Sequence, residues 1–108
     1  MTRKFLLGLI AMSFLAACAP RASEIAPAQY STARYDEWSC AKLKKEMAFV
    51  EQSLTHVGAD QDSAADRDVL MVFLIGVPTS GGGVRGQVAD LKGQRISLHN
   101  ALRDHNCL

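Results

Sequence analysis

Apolar side chains recur at Cys40, Leu43, Met47, Val50, Leu54 and Val57, a run of 3-4-3-4-3 spacings. Such spacing lays them in one stripe along a helix. Lys42, Lys44, Glu46, Glu51 and Gln52 fill the other positions, and Asp36 and Glu37 precede them where negative charge suits a helix N-terminus. Gly58 is expected to end this helix or to weaken it. A second stripe, Val84, Val88, Leu91, Leu98 and Leu102, predicts a helix from Val84 to about His105. Arg95 interrupts it, and Ile96 beside it is expected to widen the apolar face. Between the stripes, Ala59 to Asp68 is polar and holds four aspartates. It reads as a solvated stretch, either loop or wet continuation of the first helix.

Two runs break the amphipathic pattern by being apolar throughout. Phe5 to Leu15 follows Arg3 and Lys4 and leads into the small residues Ala16 and Ala17, the three-part layout of an export signal. It has roughly half of the ~20 residues a membrane-crossing helix needs, so residues 1–17 are expected to be removed after Ala17. The second run, Val69 to Val77, is closed by Pro78 and is also too short to span a bilayer. It reads as buried core, forming a strand or a short third apolar helix. The alternative is a tip that contacts lipid or a partner through Leu70, Phe73 and Leu74.

Ala19 to about Arg34 is rich in Ala, Ser and Pro, with Pro20 and Pro27 against regular helix. Residues 18–35 are therefore expected to be a flexible tether, and residues 36–108 a small helical domain.

The string Leu15-Ala16-Ala17-Cys18 resembles the lipobox of bacterial lipoprotein precursors at all four positions. The resemblance implies that the Cys18 thiol receives a diacylglycerol and that cleavage after Ala17 frees an amino group that is acylated in turn. Two or three acyl chains anchor firmly where one alone is marginal. With Ala19 rather than Asp following the cysteine, the resemblance to proteobacterial lipoproteins implies the periplasmic face of the outer membrane.

Once Cys18 carries lipid, Cys40 and Cys107 are left in an oxidising compartment, where an even remainder invites a disulfide. A reactive thiol pair, or metal ligation by His105 and Cys107, is the alternative. If the bond forms, the two striped helices run antiparallel with their outer ends joined. The expected fold is then all-α: a disulfide-closed antiparallel hairpin behind the tether. The mature part further resembles a set of short proteobacterial lipoproteins through Tyr35, Trp38-Ser39-Cys40, Gln61-Asp62, the run ending at Pro78, Leu91-Lys92-Gly93 and Cys107. That resemblance brings no catalytic residues with it.

Charge and candidate chemistry add little. Of 12 basic residues, Arg3 and Lys4 leave with the signal, so 10 basic side chains face 11 acidic ones, and no basic patch points to nucleic acid. Asp60, Asp62 and Asp66 lack the glycine and closing glutamate of a calcium loop. Thr79 to Gly83 is followed by Arg85 and Gly86, not by the Lys and Ser or Thr of a phosphate loop. His99 and His105 are six residues apart and face different sides of a helix. No nucleophile has a companion base, so no enzyme and no cofactor is expected. The expected role is a structural or protein-binding one in the cell envelope, as monomer or dimer, with an unidentified envelope protein as partner. The alternative is a membrane-active lipoprotein, of the lysis or exclusion type found on mobile elements, that works through 69–77.

Overall fold

In the computed structural model the described residues are 18–108. The expected signal segment, with Ala17 at its expected cleavage point, lies outside them. Two helices dominate: α1, Cys40–Ile75, and α2, Arg85–Asp104. The Ser39 hydroxyl opens α1 by accepting the Lys42 amide at 3.2 Å, an N-cap worth about 1 kcal/mol. Gly76 closes it in the left-handed region at φ 82°, its N–H donating to the Val72 carbonyl at 3.0 Å. The helix runs straight through Gly58 and the aspartate-rich stretch. A mid-helix glycine costs only about 1 kcal/mol.

α1 and α2 pack antiparallel, and Cys40 is bonded to Cys107 across a Cα–Cα distance of 5.5 Å. This is the expected disulfide-closed helical hairpin. Near the disulfide, Leu43 and Val50 of α1 and Leu98, Ala101 and Leu102 of α2 are buried together with Tyr35; Trp38, Met47, Leu91 and Cys107 pack around them. Of the two stripes, Leu43, Val50, Val88, Leu98 and Leu102 are buried as the spacing predicts, Met47 and Leu91 pack at the edge of the core, and Leu54, Val57 and Val84 are half-buried outside it. Ile96 points outward and is exposed, while small residues, Gly93, Ser97 and Ala101, complete the buried face of α2.

The two helices differ in length, 36 residues against 20. At 1.5 Å per residue α1 is about 54 Å long and α2 about 30 Å, so α2 cannot cover the upper turns of α1. The Val69 to Val77 run is therefore no third helix and no core element. It is the bare end of α1 and the cap beyond it. Phe73 is 86% exposed, Val69 68% and Ile75 61%.

Residues 18–39 are not a free tether either. They run down the whole hairpin, from the apolar end of α1 to the disulfide, through 3₁₀ turns at Ala22–Glu24 and Thr32–Tyr35. The Ala28 amide donates to the Ala89 carbonyl at 2.9 Å. Lys92 Nζ donates to the carbonyls of Ala22 and Ile25 at 2.5 and 2.7 Å, and the Ser97 hydroxyl donates to the Tyr30 carbonyl at 2.9 Å. At the lower end Tyr35 enters the core edge-on to Trp38, ring centroids 4.9 Å apart. The small side chains that suggested flexibility let the backbone lie close enough to bond. Gly93 shows how close: a Cβ there would stand 2.2 Å from the Ala28 carbonyl oxygen.

Candidate functional site

The molecule has two unlike ends, and the features expected to carry function fall on one of them. Gln61, Ala64, Ala65 and Asp68 stand at i, i+3, i+4 and i+7, so they share one face of α1, and all four are buried. Small residues in the middle admit the N-terminal segment, and Ala19 packs against Ala64 and Ala65. The two polar residues at the ends bind it in place.

Gln61 Nε2 donates to the Pro20 carbonyl at 2.7 Å and to the Gly82 carbonyl at 3.1 Å. Its Oε1 accepts the Val84 amide at 2.7 Å. Asp68 accepts four donors: the amide of Ala19 at 2.7 Å, those of Thr79 and Ser80 at 3.2 and 2.9 Å, and the Ser80 hydroxyl at 2.5 Å. Burial alone would raise its pKa. The Ser80 hydroxyl and the three backbone amides outweigh that and hold it down at about 2. Asp68 thus stays ionised inside the protein because the hydrogen bonds donated to it favour its charged form. Gly81, Gly82 and Gly83 all have positive φ, between 67° and 94°, which lets the loop turn back onto Gln61 without a Cβ in the way.

Through the Ala19 amide, Cys18 is fixed beside Asp68, one residue before the exposed run. Cys18 itself is half-buried. Leu70, Phe73 and Leu74, read from the sequence as candidate membrane or partner contacts, are all exposed next to it. From Val69 to Val84 there is no charged side chain. Immediately below, Arg67 and Arg85 are exposed and Arg21 pairs with Asp66 on the surface.

The opposite end holds Cys40 and Cys107, remote from Cys18. There His105 Nδ1 donates to the Trp38 carbonyl at 3.1 Å, and Lys42 Nζ lies 4.0 Å from the centroid of the Trp38 ring. With Cys107 in the disulfide, its sulfur is no thiolate ligand. Among the described residues no cluster of His, Cys, Asp or Glu has the grouping of a metal site, and no helix is long and apolar enough to cross a membrane. Along the side, Met47, Glu51, Arg95, Ile96 and His99 line an open depression of about 310 Å³. Near the start of α2 the Tyr30 hydroxyl donates to Asp90 at 2.9 Å, and that bond raises the phenol pKa.

Sequence reasoning found the cysteine pair that the structure bonds, and it singled out the apolar run, which is exposed as its alternative had it. It missed Gln61 and Asp68 as the joints between three segments. Their signal was present: the i, i+3, i+4, i+7 spacing with alanines between, hidden because two of its four members are polar. No family model, no curated protein and no solved structure matches this chain.

Proposed function

We propose that the protein is an envelope lipoprotein, cleaved after Ala17, acylated on Cys18 and held on the periplasmic face of the outer membrane, where the hairpin has a structural or protein-binding role. The observation that supports this reading most is the docking of Ala19 on Asp68. It sets the residue carrying the lipobox match at the one end of the rod that is apolar, so a lipid there and the surface beside it ask for the same environment. The opposite end, with Trp38, Lys42 and the disulfide, is then presented away from the bilayer to a protein partner.

Growth of a Gram-negative host expressing the full chain with an alkyne-tagged fatty acid tests this. Label is expected on the wild type and absent from C18S, and the N-terminal peptide by mass spectrometry is expected to begin at acylated Cys18. An unlabelled wild-type chain overturns the proposal.

A second reading, a membrane-active lipoprotein working through 69–77, is favoured by the exposure of that run. Release of dye from vesicles by the acylated protein supports it, and vesicles that stay sealed at saturating protein count against it.

A further inference from the structure

We propose that Val69 to Val77 forms a second, non-covalent anchor that enters the same leaflet as the acyl chains on Cys18 and holds the hairpin upright on the membrane; this rests on the acylation of Cys18.

The distribution of apolar side chains argues for lipid rather than for a protein surface. At 100° per residue, Val69, Leu70, Val72, Phe73, Leu74 and Ile75 point in directions that together encircle the helix, and each is exposed. A protein partner, or a second copy of this chain, meets one face of a helix and would leave the others in water. A helix apolar all round is at home only where apolar material surrounds it. Lipid does so without a specific docking geometry.

Position and length agree with this. The tip starts one residue after Asp68, which holds the Ala19 amide, so the anchor on Cys18 and the base of the tip are at the same height. The seven helical residues beyond Asp68 rise about 10 Å, matching the roughly 5–10 Å to which apolar faces sink at the headgroup–acyl boundary. The last carbonyls of α1 need water or headgroup partners, which keeps the insertion shallow. Below the tip, exposed Arg67 and Arg85 fall at headgroup level, where guanidinium groups meet lipid phosphates, while Arg21 there is paired with Asp66. The two polar joints also fit the role. Asp68 satisfies the amides of Thr79 and Ser80 internally, so the loop that descends from the tip brings no unpaired donor at those positions to the lipid surface.

The chain has a single tryptophan, Trp38, at the far end of the rod, which makes the test internal. Acylated full-length protein is reconstituted in vesicles of phosphatidylethanolamine and phosphatidylglycerol, with and without phosphatidylcholine brominated in mid-chain. Wild-type emission, from Trp38 alone, is expected to be unchanged by the brominated lipid. The additional emission of F73W is expected to fall about twofold or more and to shift to the blue, because the inserted indole sits within reach of the bromines. If F73W emission is not quenched while the acyl label on Cys18 is intact, the insertion is wrong and the lipoprotein reading stands. A blue shift without quenching means that protein covers the tip and overturns the proposal in favour of a docked partner. Absence of acyl label on Cys18 overturns both.

Discussion

Replacing both members of the Cys40–Cys107 bond, in C40S/C107S, is expected to lower the stability of the domain by about 4 kcal/mol on chain-entropy reasoning. The bond closes a loop across 67 positions that contains both helices, so its loss gives the unfolded chain most of its freedom back. For a domain of this size that is a fall in melting temperature of roughly 20 °C, read by circular dichroism on the oxidised wild type and the double variant. The effect is large because the apolar core is short. Its large side chains gather toward the disulfide end, around Leu43, Val50, Leu98 and Leu102, and small domains with little core depend on such staples. A melting temperature unchanged by the substitutions would mean that the helices hold together without the bond.

D68N is expected to cost about 3 kcal/mol, by a different route. The carboxylate is fully buried and takes four hydrogen bonds. Asparagine keeps the shape but loses the charge and turns two donors toward donors already there, so buried N–H groups are left without acceptors. Since Asp68 joins Ala19 to the Ser80 loop, both segments are expected to exchange their amide hydrogens faster in D68N, while the core near the disulfide keeps its protection. The wild type carries a matching pH signature. The folded pKa of about 2 lies below the ordinary value of 3.8. A depressed folded pKa contributes stability that is present above the unfolded value and lost as pH falls toward the folded one. About 2.5 kcal/mol is therefore expected to disappear between about pH 4 and pH 2. D68N removes this group's share of that slope, which urea titrations at several pH values measure directly.

These two residues sets show how unevenly the fold is written in the chain. The hairpin was legible because Leu43, Met47, Val50, Leu54, Leu98 and Leu102 follow helix period, and because the expectation of lipid on Cys18 leaves Cys40 and Cys107 as a pair. Two other features resisted reading. The docking of residues 18–39 rests on backbone carbonyls and amides paired with Gln61, Asp62, Asp68, Lys92 and Ser97. Apolar periodicity marks none of these polar partners, and the Ala, Ser and Pro content that signals a loose chain is equally what a chain laid flat on a helix pair requires. The apolar run resisted for the opposite reason. A stretch apolar on every side normally belongs in a core, and only the mismatch between a 36-residue and a 20-residue helix leaves this one bare. That mismatch was obscured by Gly58, which the helix simply passes through. Of the candidate site, Cys18, Leu70, Phe73 and Leu74 were visible individually. Their convergence on one end was not, because it depends on the Ala19 to Asp68 contact.

The same contact is the centre of the account, since it makes the proposed lipid attachment point a fixed base for a rod. Neutron reflectometry on the acylated protein bound to a supported bilayer measures the consequence directly. With the tip sunk by about 10 Å and α1 standing, the protein layer is expected to rise about 45 Å from the headgroups with no hydrated gap beneath it. A layer about 20 Å thick, two helices lying flat, or a diffuse layer set off from the bilayer as a flexible 18–35 segment would give, contradicts it.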